Sequence, residues 1–162
     1  MRGRGRSLSQ RPAICCETMI DRQILPDGAL SLSAPSCSYK IQRLQPGALL
    51  LTIIGRETGE LGRAALGEVA VEAAMHPPLH LLIDMTGLTN VDGKVSDDWT
   101  AWFRANKHAL AKVDVLVPST FVRLTVQVSQ MFAGLGRLLQ VHPEAAAFQA
   151  LLARAGGPVA AQ

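Results

Sequence analysis

No stretch of this 162-residue chain approaches the roughly 20 consecutive apolar residues of a bilayer-crossing helix, so no membrane span is expected. Cysteine is scarce: Cys15, Cys16 and Cys37 are all there is. The first two are adjacent and cannot easily pair, and an odd count argues against a disulfide framework. No CxxC or Cys/His spacing suggests zinc. Reduced, structurally incidental thiols in a cytoplasmic protein are the expectation. Aromatic residues make up 4% of the chain, so Ala, Leu, Val and Gly must fill the core instead. No GxSxG is present, which leaves a hydrolase elbow unsupported. The folded part also lacks a basic stripe. Arg2, Arg4, Arg6 and Arg11 all precede the first acid, Glu17, while from Ser38 onward 11 basic residues face 10 acidic ones. Neither a nucleic acid nor a membrane is therefore an expected partner.

What is present fits one domain large enough to bury most of its apolar surface. Residues 1–37 read as an N-terminal leader, disordered or peripheral, with Met19 an alternative first residue and a turn sequence at Pro26-Asp27-Gly28. The arginines of the leader are not followed by an apolar core, so it is no secretory signal. Strands are expected over 39–44 and 49–54, joined tightly through Pro46-Gly47 as an antiparallel hairpin. A helix over 58–75 is expected, capped by Thr58. Leu61, Ala65 and Val69 form its inner stripe, and Arg63, Glu68 and Glu72 mark its solvent side. His76-Pro77-Pro78 ends it.

The chain is organised around 79–99. An apolar strand over 79–85 is followed by a polar loop over 86–94, punctuated by Gly87, Asn90, Asp92 and Gly93. Ser96 then caps a helix over 97–111, with Asp97 and Asp98 in its first turn. Trp99, Trp102 and Phe103 lie at helical spacing and read as core. A strand over 113–117 comes next. The stretch 120–133 alternates like a strand at Val122, Leu124, Val126 and Val128, yet a strand there leaves no crossover before the next one, over 137–141. A helix over 120–133 is therefore expected. Pro143 starts a last helix through Phe148, Leu151 and Leu152. The order is ββαβαβαβα, an α/β fold with a mixed sheet flanked by helices.

Several site readings fail on spacing. Gly87 to Gly93 holds five intervening residues where a phosphate loop has four, and Val95 stands where its hydroxyl belongs. Asp84, Asp92, Asp97 and Asp98 could crowd a hard cation, but each has an ordinary structural explanation. The histidines His76, His80, His108 and His142 are scattered, and Pro77-Pro78 keeps the first two off one helical face.

The stretch LLIDMTGLTNVDG resembles the signature of STAS domains, found in sulfate transporters and anti-sigma factor antagonists. Asp84 matches the aspartate ending the family's strand, and Asp92 matches the one that opens its Asp-Ser-Ser-Gly motif. Gly93 and Lys94 fill the two serine positions, so the phosphoacceptor of the antagonists is replaced by a lysine. Ser96 could substitute for it, although a helix cap explains that serine equally.

The resemblance implies a STAS-like domain over 38–156, a leader before it and a tail over 157–162. It implies a non-enzymatic regulatory module with no cofactor or metal. The module would dock a regulatory protein, kinase or anti-sigma-factor-like, through Asp84, Thr89, Asn90, Asp92, Gly93, Lys94, Ser96 and the exposed edge of Trp99. The alternative is a small-molecule or lipid binder with an apolar cavity around 121–132 and Phe148. A third reading is an enzyme using Asp84 and Asp92. Oligomeric state stays open: the strand over 39–44 would be a sheet edge, which invites pairing into a homodimer.

Overall fold

A computed structural model describes residues 19–117 and 132–156. Seven strands form one mixed sheet in sequence order. The first four, β1 (Asp21–Ile24), β2 (Leu30–Ala34), β3 (Cys37–Gln45) and β4 (Ala48–Glu57), run as an antiparallel meander. From β4 the sheet turns parallel through β5 (Leu79–Val91), β6 (Leu110–Leu116) and β7 (Leu139–His142). Helix α1 (Glu60–Met75) connects β4 to β5, and α2 (Gly93–Asn106) connects β5 to β6. Helix α3 (Ala145–Arg154) follows β7. The expected mixed sheet flanked by helices is what forms.

Burial on both faces explains the apolar run that opens β5. Leu79, Leu81, Ile83 and Met85 enter the large core cluster with Leu61, Ala65 and Val69 of α1 and Val95, Trp99 and Phe103 of α2. Leu82 points the other way, into a smaller cluster with Leu116 and with Phe148, Leu152 and Ala155 at the chain's end. The turn at 26–28 forms a hairpin whose second strand buries Leu30 and Leu32, so the sheet takes in part of the 1–37 segment.

The main departure from expectation is the polar loop over 86–94. Most of it is strand: β5 runs on to Val91, because β4 also runs on and offers it a partner. Gly55 makes this possible at φ 97°. An added Cβ there would lie 2.3 Å from the Ser36 carbonyl oxygen, so only glycine lets β4 bend past that oxygen and reach Glu57. Ile54, Gly55, Arg56 and Glu57 then pair with Gly87, Leu88, Asn90 and Val91. Tertiary pairing overrides the turn chemistry of the sequence.

The helix limits shift in consequence. Helix α2 starts at Gly93, four residues before its expected start, and Asp92 rather than Ser96 caps it. It stops at Asn106, and β6 begins at Leu110. Thr58 does not cap α1. The Glu57 carboxylate does so from the end of β4, accepting from the Gly59 and Gly62 amides at 2.8 and 3.2 Å. Glu72 is 2% exposed and does not face solvent. It accepts from Arg43 Nε at 2.9 Å and the Gly47 amide at 3.1 Å, and bonds His76 Nδ1 at 3.0 Å. The strand expected over 39–44 lies between β2 and β4; the sheet edges are β1 and β7. Glu144, not Pro143, stands at the N-cap of α3. The helix expected over 120–133 lies outside the described residues except for its last two, which belong to a turn.

Candidate functional site

The carboxyl ends of β4 and β5 bring the starts of α1 and α2 side by side, the place where open α/β sheets present sites. One residue joins them. The Glu57 side chain caps α1, while its backbone carbonyl accepts the Asp92 amide at 3.0 Å. Gly62 lets the helices approach, since a Cβ there would lie 2.6 Å from Val95 Cγ1.

At the start of α2 the Asp92 carboxylate accepts the Lys94 amide at 2.9 Å, and its carbonyl takes the Val95 and Ser96 amides at 3.1 and 3.2 Å. The side chains of Thr89, Asn90, Asp92 and Lys94 are exposed, as is Gly93, and Ser96 is half-buried. An open groove of about 520 Å³ begins beside Gly93 and runs past Ser96, Asp97 and Arg104.

Two expected members fall outside this surface. Asp84 sits eight residues before Asp92, and because Asp84 to Val91 runs beside only the five steps from Thr52 to Glu57, the two lie about 20 Å apart at the rise of a β-strand. Its carboxylate takes the Thr86 amide at 2.9 Å and the Thr86 hydroxyl at 2.7 Å. Trp99 is 2% exposed, so the expected exposed ring edge is buried in the core beneath the junction. Apolar neighbours on the sheet and on α1 cover that side of α2.

Behind the junction, Cys37 of β3 lies against the Glu57 carboxylate. Cys37 Sγ donates to Glu57 Oε2 at 3.4 Å. Burial, and then the Glu57 charge, push the Cys37 thiol up to about 12, so it holds its proton at neutral pH and is a poor nucleophile. In a Cys15→Ser/Cys16→Ser chain, iodoacetamide at pH 8 should leave the folded protein unlabelled and label Cys37 fully in denaturant. Rapid labelling of the folded chain would refute the assignment.

A second polar cluster escaped the sequence reading. Asp114, fully buried in the middle of β6, bonds His80 Nε2 of β5 at 2.7 Å and His142 Nε2 of β7 at 2.7 Å. Lys112 Nζ lies 3.0 Å away. The histidines looked scattered because their partner stands 34 and 28 residues off. The available signal was Asp114 itself, a charge between Val113 and Val115 in an aliphatic strand, which burial would not tolerate without a partner.

Burial alone would raise the Asp114 carboxyl, but hydrogen bonds from His142, His80 and Lys112 outweigh it and hold the group below its ordinary value of 3.8. Glu72 is likewise held below 4.5: burial opposes this, and the Gly47 amide, Arg43 and His76 prevail. Both folded values lie below the unfolded ones, so the stability these groups confer is complete above the unfolded values and is lost as pH falls through the folded ones. Urea midpoints should hold level from neutrality to about pH 5 and fall steeply below about pH 4. A midpoint that stays level down to pH 3 would contradict these assignments.

Among the described residues no cluster of His, Cys, Asp or Glu could hold a metal ion, and no helix is long and apolar enough to cross a membrane. No family model matches the chain, and no curated protein matches it in sequence. Among solved structures, the anti-sigma factor antagonist SpoIIAA in its unphosphorylated form is similar, with a TM-score of 0.52 at 14% identity. The match covers 71% of this chain and 96% of that one. The mixed sheet, the helix starting from the end of β5 and this likeness together give the chain the STAS fold, as a divergent example of it.

Proposed function

We propose that the chain is a non-enzymatic regulatory domain that docks a protein partner, kinase or anti-sigma-factor-like, through the 86–96 segment. Lys94 carries the reading. It is an exposed cation in the first turn of α2, where the helix dipole favours an anion by about 0.3–1 kcal/mol. Folding stability does not account for a lysine there, whereas recognition by an acidic surface on another protein does. Thr89, Asn90, Asp92, Gly93 and Ser96 surround it, and the rigid junction through Glu57 supports them. The fold neighbour is described as an anti-sigma factor antagonist, which supports a regulatory protein as the partner class. With glycine and lysine at the serine positions of the resembled motif, the charge at that phosphoacceptor position is fixed and positive.

The competing readings are weaker. Asp84 and Asp92 lie well apart along β5, which argues against the two-carboxylate enzyme. The enclosed apolar cavity in the core, lined by Trp99 among others, has a volume of about 10 Å³, far too small for a lipid. Of the region around 121–132 and Phe148 where an apolar cavity was expected, residues 121–131 lie outside the described ones.

The Lys94→Glu variant separates function from fold. Its folding stability should rise by about 0.3–1 kcal/mol, because the new charge suits the helix start. Its affinity for a partner captured by the wild-type chain should fall by more than roughly tenfold, through like-charge repulsion. Asp92→Asn, which keeps the cap, should weaken binding less. Undiminished capture by a fully folded Lys94→Glu chain would sink the proposal.

A further inference from the structure

Strand β1 stands at one edge of the sheet with every residue exposed, and its Ile24 is 71% exposed. An open edge presents a row of unpaired backbone groups, which proteins usually blunt with a proline, a lysine or a bulge. Strand β1 carries none of these. The hairpin that follows it fixes which groups are left over. The Leu25 amide donates to the Ala29 carbonyl at 2.8 Å, and the Gly28 amide to the Leu25 carbonyl at 2.9 Å. Antiparallel partners alternate between bonded and non-bonded pairs. Leu25, Gln23 and Asp21 therefore turn their backbone groups toward β2, while Ile20, Arg22 and Ile24 turn theirs to the open edge.

A second copy of the chain fits this edge. A two-fold axis normal to the sheet joins like faces of the two copies, so the axis must pass through a residue rather than between two. An axis at Asp21 would set two carboxylates opposite each other, and one at Gln23 would set Arg22 against the partner's Ile24. An axis at Arg22 sets Ile20 against the partner's Ile24 and Asp21 against the partner's Gln23. That register joins apolar to apolar and carboxylate to amide. The second pairing already occurs within the chain, where Gln23 Nε2 donates to Asp21 Oδ2 at 2.9 Å. The two Arg22 side chains would face each other, but each is held by Glu68 Oε1 of its own chain at 2.7 Å. All three outward-facing residues then find partners, giving about six backbone bonds across the axis.

We infer that β1 is the contact of a homodimer, two copies pairing antiparallel about a two-fold axis at Arg22 so that the seven-stranded sheet continues from one copy into the other. The contact is isologous and closes at two copies. It lies four strands from β5 and leaves the 86–96 segment of each copy free.

Sedimentation of the full chain tests this. The contact is small, so association should be weak and is followed up to about 0.5 mM chain. The wild-type mass should rise with concentration toward twice 17.3 kDa. Ile24→Lys, at an exposed side chain, sets a cation against the partner's Ile20 and should raise the dissociation constant more than roughly tenfold. The register has its own readout, in chains that also carry Cys15→Ser and Cys16→Ser. Asp21→Cys and Gln23→Cys chains, once mixed, should form a mixed disulfide faster than either forms one alone, because the two positions face each other at about 4.5 Å between Cα atoms. A wild-type chain that stays monomeric throughout, a dimer that Ile24→Lys does not weaken, or disulfides with no preference for the mixed pair would overturn the inference.

Discussion

Replacing Asp114 with alanine is expected to cost about 3–5 kcal/mol of folding stability, the range for removing one member of a buried ionic group. The carboxylate is fully buried and serves three groups, on its own strand and on both neighbours. Without it, Lys112 and His80, whose side chains are 36% and 27% exposed, can turn toward water. His142 cannot, because its side chain is 8% exposed and its ring packs against Phe148 at 6.0 Å. The damage should therefore concentrate on β7, a four-residue edge strand, and on α3 behind it. Urea unfolding at pH 7 measures the total, and amide exchange should show β7 losing protection before β5. Because one carboxylate serves both histidines, Asp114→Ala and His142→Ala should combine to less than the sum of their separate effects. Strict additivity would show that the bonds are not coupled.

A loss of similar size, about 3–5 kcal/mol, is expected for Phe103→Ala. Phe103 is 1% exposed, and its ring centroid lies 5.7, 5.5 and 5.1 Å from those of Trp99, Trp102 and Phe132. It gathers most of the chain's few aromatic rings into one contact, and a close-packed interior relaxes only partly around a deleted ring. Thermal unfolding with tryptophan fluorescence reports both the lowered Tm and the changed environment of Trp99. A loss below about 1 kcal/mol would mean that α2 is not anchored at this ring. The docking surface should suffer only through the population of folded chain, since Phe103 lies three helical turns from the Asp92 cap.

Local patterns made much of this legible. The aliphatic opening of β5, the inner stripe of α1 and the tight β3–β4 hairpin could each be read from neighbouring residues. The LLIDMTGLTNVDG stretch pointed to the STAS fold that the structure shows. What could not be read depends on contacts distant in sequence. Residues 86–91 carry turn chemistry and become strand only because Gly55 lets β4 extend alongside them. The cap of α1 comes from Glu57, ahead of the helix, and so Thr58 was misassigned. Glu72 looks like a solvent-side acid until Arg43 and Gly47 are seen to close over it. Trp99 fits a helical stripe that is either core or contact surface, and only the sheet beneath α2 decides for core.

A docking surface at the end of β5 and the start of α2 is what the proposed function requires. Site-specific photo-crosslinking tests it most directly, with a benzophenone side chain placed at Thr89 and, as a control, at Gln140 on the exposed far edge. The prediction is a discrete adduct with one protein at Thr89, none at Gln140, and loss of the adduct when Lys94→Glu is added. No adduct at Thr89, or the same adduct from both positions, would contradict it.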